Sequence, residues 1–338
     1  MEVVQGGHAA QYSAQPALDL ATCVNAFGPP DVLEDVMTMV RKGNLLHLHP
    51  FDTNRSFLAA YAASLSVDEA MLYPARGITE LIHSVRCAFS NELVYPAPDY
   101  TDLCLGIEMG GVQTVYDLAN RVAQIETCAQ TSKAVIFSNP CNPTGLAVPA
   151  STLFQLFQAY PETQFIVDES YVDFTANATH WSVIGTTLQN VAVLRSPTKC
   201  FGMGGVRVGA LWCPAESVRK RIAKWICKWP LSVFDVAFAN AALQQKEWLQ
   251  RTKTDLLDAT ERLEDLLLRT GFSPIADVPV HFRFVPHPNS APLAARLAER
   301  GIIVRTKSAQ EQISGFRVVA PKLSDWNLFA DAFLEAAQ

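Results

Sequence analysis

The chain has 338 residues, 49% of them hydrophobic and 18% charged. That length suggests two domains, or one large domain with an appendage, and the composition is that of a globular protein with ample material for a core. A net charge of −6 with no basic run argues against a nucleic-acid surface. No apolar segment reaches membrane-spanning length, and the opening MEVVQGGHAA lacks the basic and apolar regions of a secretion signal. The eight cysteines are scattered without a C-x-x-C pair, which suits reduced thiols in cytoplasm.

The first thirty residues read as an arm, after which Asp31 is placed to N-cap a helix running to about Lys42. His47 and His49 stand two apart and can share an ion on one strand face, yet no third ligand is near. Surface or interface histidines are the preferred reading, with no metal expected. From Leu65 the chain alternates apolar runs with helical periodicity. Strands are expected at Met71–Pro74, Leu93–Pro96, Val112–Tyr116, Ala134–Ser138, Phe165–Asp168, Val191–Leu194 and Val206–Trp212. Helices are expected at Glu80–Phe89, Tyr100–Met109, Ala119–Ala129, Ala150–Ala159 and Ala215–Lys224. Strands separated by helices imply a mostly parallel sheet covered on both faces, with ligands at the carboxyl ends of its strands.

After about Leu231 the pattern changes. One long helical stretch, Val233 to roughly Arg269, precedes strands at Val280–Phe284, Ile302–Arg305 and Phe316–Val319, with helices at Ala291–Arg300 and Asp325–Ala337. This reads as a smaller α+β C-terminal domain over 231–338, behind an arm (1–30) and a large α/β domain (31–230).

The chemistry concentrates at Val191–Trp212, where Ser196, Thr198 and Lys199 are followed by Gly202, Gly204, Gly205 and Arg207. Burial lowers an ammonium pKa and makes the amine nucleophilic, as a Schiff-base lysine requires. Glycines let backbone approach a ligand, while Ser, Thr and Arg supply donors for a phosphate. Pyridoxal phosphate (PLP) carries both an aldehyde and a phosphate. Locally, a glycine-rich hairpin turn with one solvated lysine fits as well. A dinucleotide loop does not, because Arg207 stands where its third glycine belongs and no long helix follows.

The run S-P-T-K-C-F-G-M-G-G-V-R-V-G resembles the lysine motif of the class I/II aminotransferases, the fold type I PLP enzymes. Ser196 falls three residues before the lysine and Arg207 eight after it. The similarity is greatest to the branch of histidinol-phosphate aminotransferase and threonine-phosphate decarboxylase, and it extends from about Gln5 to Arg317. It implies that Lys199 carries PLP, that Ser196, Thr198 and Arg207 hold its phosphate, and that Gly77, Ile78 and Thr79 at a strand-to-helix junction join them. Tyr100, in Pro-x-aromatic, is implied to stack on the pyridine. Asn142, in N-P-C-N-P-T-G, and Tyr171, in D-E-S-Y, are implied to bond the phenolic oxygen, and Asp168 the pyridine nitrogen. Two X-Pro steps are expected to force an extended turn at Asn142, and Gly145 to take a positive φ.

For the substrate, the resemblance implies Arg317 as the carboxylate contact, with Asn25 and Arg305 as further contacts. Gln5 and His8 replace the His and Asn of the branch's H-G-G-N arm, and His49 replaces a Tyr that reaches the phosphate across a dimer interface. The resemblance thus implies a cytoplasmic, homodimeric PLP aminotransferase acting on an amino acid and a 2-oxo acid. A decarboxylase of threonine phosphate or a similar amino acid is the alternative, and a catalytically silent ligand-binding homologue the third reading.

Overall fold

The computed structural model describes residues 17–112, 115–308 and 311–338. A two-residue strand, β1 (Leu18–Asp19), is followed by the helices α1 (Leu33–Lys42) and α2 (Phe51–Leu65). Strands and helices then alternate through β2 (Leu72–Ala75), α3 (Gly77–Phe89), β3 (Leu93–Ala97), the short α4 (Thr101–Cys104), β4 (Glu108–Val112) and α5 (Leu118–Thr131). The alternation continues with β5 (Ala134–Ser138), α6 (Ala150–Ala159), β6 (Gln164–Asp168), the short α7 (Ala178–Trp181), β7 (Val191–Arg195), β8 (Gly209–Trp212) and α8 (Glu216–Ala223). The C-terminal region holds α9 (Val233–Leu243), α10 (Lys246–Arg269), β9 (Phe282–Pro286), α11 (Ala291–Glu299), β10 (Ile302–Ile303), β11 (Arg305–Lys307), β12 (Gly315–Val319) and α12 (Trp326–Ala336).

Among the described residues, the large sheet has the order β2-β8-β7-β6-β5-β3-β4. Its strands from β7 to β4 run parallel, whereas β8 is antiparallel to both neighbours. Strands β5, β6 and β7 are buried at every position, as their unbroken apolar runs require of a sheet covered on both faces. Alternate residues feed opposite layers. Val135, Phe137, Phe165 and Val167 pack with Leu153 and Phe157, while Ile136, Ile166 and Leu194 pack with Leu81, Val85 and Ile222. The fold is α/β, with a mostly parallel large sheet and a smaller antiparallel one, β11-β12-β9, in the C-terminal region.

The N-terminal segment runs to that region: β1 pairs with β10, and Val319 N–H donates to Leu20 O at 3.0 Å.

Four expectations change. Helix α1 starts at Leu33, and Asp31 does not cap it; buried Val32, packed with Val36 and Val40, sets its start. The expected helix Tyr100–Met109 shrinks to α4, and strand β4 forms at Glu108–Val112, earlier than expected. Gly106 turns the chain at φ +71°, and β4 then packs so closely on α5 that a Cβ at Gly110 would lie 2.6 Å from Cys128 Sγ. The single helix expected from Val233 breaks at Gln244–Gln245, so α9 packs on α1 and α2 while α10 turns to β9. Finally, α2 appears where no helix was expected, buried through Phe57, Tyr61 and Ala62.

Candidate active site

The carboxyl ends of β2, β3, β5, β6 and β7 converge, each carrying one of the motifs. Lys199, in the turn after β7, has its Nζ 4.0 Å from the centre of the Tyr171 ring and 5.8 Å from that of Tyr100. Burial lowers its ammonium pKa below the ordinary lysine value, Asp168 and Cys23 oppose this, and Arg317 and Arg207 add to it.

Asp168 ends β6, buried, its Oδ1 accepting from Ser170 N–H at 2.9 Å and Ser170 Oγ at 2.5 Å. Burial pushes this carboxyl up, against the pull of the Lys199 charge and the Ser170 bonds. Its neighbour Glu169 meets Arg195 at 2.8 Å, and Arg195 meets Asp173 at 2.5 Å. Adjacent acids thus have different duties: Glu169, just past the end of β6, ties it to Arg195 at the end of β7, and Asp168 acts on Lys199.

The turn after β5 has Gly145 at φ +81°, as its position predicts, and cis peptides at Asn139–Pro140 and Asn142–Pro143. Its two asparagines differ. Asn139 serves the turn, donating to Val148 O and Trp181 O and accepting from Val148 N–H. Asn142 donates to Tyr171 Oη at 3.5 Å, and its Oδ1 accepts from Arg317 Nη1. Arg317 Nη2 donates to Ala21 O at 2.6 Å, so the N-terminal segment, the turn and β12 close around one guanidinium.

At the start of α3, Gly77 has φ +74°, and a Cβ there would lie 2.9 Å from Arg207 Nη2. The same Nη2 donates to Thr79 Oγ1 at 3.5 Å. Ser196 Oγ lies 2.8 Å from Thr198 Oγ1 and donates to Val208 O at 2.6 Å. Ile78, half-buried, stands between Gly77 and Thr79 in the first turn of α3. Strand β8 joins the two groups, since a Cβ at Gly209 would lie 3.2 Å from both Arg195 O and Gly77 Cα. The N-terminus of α3, hydroxyls and a guanidinium make an anion site suited to a phosphate. Arg76 is exposed, and Glu80 accepts from the Arg76 and Cys227 N–H groups, so that pair shapes the helix start.

Asn25, expected among the substrate contacts, is spent elsewhere. Its Nδ2 donates to Cys200 O and Thr252 Oγ1, both at 2.9 Å, its Oδ1 accepts from Phe27 N–H, and its N–H donates to Lys199 O. It pins the N-terminal segment to the lysine turn, where a Cβ at Gly202 would lie 2.3 Å from Gly28 O. Arg305 donates to Glu311 at 3.0 Å. His49 lies 4.5 Å, ring to ring, from Trp229. The arm residues Gln5 and His8 lie outside the described residues.

Sequence reasoning missed the buried Asp99–Arg121 pair behind Tyr100 and Asn142, although Arg121, Ile125, Cys128 and Ala129 share one helical face. It also missed Lys307 and His281, for which nothing local gives a signal.

The family model for aminotransferase class I and II matches residues 16–328. The chain belongs to that family. Histidinol-phosphate aminotransferase 1 of Bordetella parapertussis is 27% identical to it over 301 residues, which cover 85% of this chain and 83% of that one. Two solved structures share the fold. Histidinol-phosphate aminotransferase from Sinorhizobium meliloti, solved with pyridoxal-5'-phosphate, superposes with TM-score 0.82 at 20% identity, covering 100% of this chain and 95% of that one. L-threonine-O-3-phosphate decarboxylase from Porphyromonas gingivalis superposes with TM-score 0.75 at 19% identity, covering 94% and 99%. As a class I and II family member, the chain is a PLP-dependent enzyme. The site fits that cofactor on its own chemistry: a buried amine, a buried carboxyl facing it, an aromatic wall and a separate anion site.

Proposed function

We propose that this enzyme transfers an amino group from an amino acid to a 2-oxo acid, with PLP held by Lys199. Bound PLP supplies an aldehyde that links to amines and a ring that draws electrons from the substrate Cα. Gly77, Ile78, Thr79, Ser196, Thr198 and Arg207 hold its phosphate, Tyr100 covers its ring, and Asn142 and Tyr171 donate to its phenolic oxygen. Asp168 keeps a proton on the ring nitrogen. Lys199, its proton affinity lowered by burial, takes and returns the proton at the substrate Cα.

The observation that carries transamination is the seat of Arg317. Buried in β12, it is fixed by Asn142 Oδ1 and Ala21 O, two neutral oxygens that leave its charge for a substrate α-carboxylate. A carboxylate gripped there is retained, which leaves the Cα–H bond as the one to break.

The enzyme is further proposed to be a cytoplasmic homodimer, with an arm to residue 30, a PLP-binding domain over 31–230 and a C-terminal domain over 231–338. Exposed Leu33, Met37 and Met39 of α1, with Leu46, Leu48, Trp225 and Trp229, support a self-association surface. Among the described residues no helix is long and apolar enough to cross a membrane.

The test reconstitutes the protein with PLP, reduces it with borohydride and locates the label by mass spectrometry, expected on Lys199. Amino acids are then screened for 2-oxo acid and CO₂ together. Stoichiometric 2-oxo acid without CO₂ is expected. CO₂ without 2-oxo acid would make the enzyme a decarboxylase, and a protein that takes up no PLP would overturn both readings.

A further inference from the structure

Strands β11 and β12 place Arg305 directly opposite Arg317 and Lys307 opposite Gly315. Residues facing across an antiparallel pair, and residues two apart on one strand, lie on the same face of the sheet. Arg305, Lys307 and Arg317 therefore share one face, although like charges directly opposed destabilise a pair. Lys307 is the deeper of the two β11 cations, its side chain 4% exposed. A buried ammonium needs close acceptors, and it has two: Thr101 Oγ1 at 2.5 Å and Glu311 Oε1 at 2.7 Å. The same Glu311 oxygen accepts from Arg305 Nη2 at 3.0 Å and from Thr101 Oγ1 at 3.1 Å. One carboxylate oxygen thus gathers two cations and a hydroxyl, beside the arginine proposed to hold the α-carboxylate.

Two cations and one carboxylate leave a single positive charge in the pocket. A singly charged acidic group is matched by it. A phosphate, at about two negative charges at neutral pH, is not, unless Glu311 leaves or is neutralised. The nearby Asp102 carboxylate, which also acts on Arg305 and accepts from Tyr100 Oη at 2.8 Å, repels a doubly charged group more than a singly charged one. Burial holds the Lys307 ammonium pKa below the ordinary lysine value, against the pull of Glu311.

We infer that Arg305, Lys307 and Glu311 form the side-chain pocket of the substrate, and that Glu311 sets its charge so that it takes a carboxylate in preference to a phosphate. The inference rests on the reading of Arg317 as the α-carboxylate contact. Glu311 and Lys307 act here as specificity-determining residues, and the substrate class is an amino acid with an acidic, singly charged side chain.

The test uses probes without an amine, so that binding is read without turnover: glutarate (two carboxylates), 3-phosphonopropionate (a carboxylate and a phosphonate) and butyrate (one carboxylate). Each is titrated calorimetrically into the PLP-loaded wild type, Glu311→Gln and Lys307→Met. The wild type is expected to bind glutarate more tightly than 3-phosphonopropionate. Glu311→Gln, which keeps the shape and removes the charge, is expected to shift that preference by about tenfold toward the phosphonate, the scale of one charge-assisted contact. Lys307→Met is expected to weaken glutarate by a similar factor while leaving butyrate unchanged. An unchanged preference in Glu311→Gln, or a wild type that already prefers the phosphonate, would overturn the inference. Failure to retain PLP at Lys199 would instead overturn the proposed function; the same amine-free probes titrated into the PLP-free protein would then still read the preference set by Glu311.

Discussion

Arg121 closes on Asp99 across 2.6 Å, with both side chains almost wholly shielded from water. The pair is the hub of the strand-end loops. Arg121 also donates to Pro96 O, Pro98 O and Ser138 O, while Asp99 accepts from the N–H groups of Tyr100 and Ser138 and from Ser138 Oγ. Ser138 Oγ in turn accepts from Asn142 N–H at 3.0 Å. Tyr100 and Asn142, proposed to cover the PLP ring and bond its oxygen, are therefore aimed from behind by one ion pair.

Arg121→Met leaves Asp99 buried and uncompensated, which costs about 3–5 kcal/mol. Urea unfolding should show that loss, together with weaker PLP retention. Adding Asp99→Asn should return part of the stability, because the orphaned charge is gone. A single variant as stable as the wild type would remove the pair from this role.

Asp168→Asn keeps the hydrogen-bonding shape and removes the charge that faces Lys199. The variant should still take up PLP but lose on the order of 10²–10³ in turnover, the scale for losing one preorganised electrostatic contact. Rates equal to the wild type would place the ring-nitrogen contact elsewhere.

His281 predicts a pH dependence. Its ring is fully buried, stacks on Phe174 at 3.6 Å, and among the described residues neither nitrogen has a hydrogen-bond partner. Burial, reinforced by Arg317, Lys199 and Arg283, holds its pKa well below the ordinary value near 6.5. The unfolded chain therefore binds a proton below about pH 6.5 that the folded protein refuses, and stability falls as pH falls. Relative to His281→Leu, the wild type should lose about 1.4 kcal/mol per pH unit through that window. Unfolding midpoints measured from pH 7 to 5 check it, and a constant difference between the proteins would clear the ring.

The local readings that held are those whose chemistry sits next to a strong pattern. The unbroken apolar runs of β5, β6 and β7 admit few structures besides buried parallel strands, and Ser138, Asp168 and Arg195 end them. At the ends of those runs the structure brings Asn142, Asp168 and Lys199 to one region, as their places after the apolar runs lead one to expect. Tertiary contact decided the rest. Asn139 and Asn142 sit in near-identical sequence, yet Val148 and Trp181 claim the first and Arg317, from β12, engages the second. Helical periodicity at Tyr100–Met109 yields to β4 because pairing with β3 and close packing on α5 outweigh a weak local preference. Asn25 looks like a ligand contact in sequence but lies beside Cys200 and Thr252, 175 and 227 residues away. The meeting of Lys307 with Thr101 spans 206 residues. Propensity and spacing act over a few residues, whereas the partner that satisfies a buried polar group is chosen by how the whole chain packs.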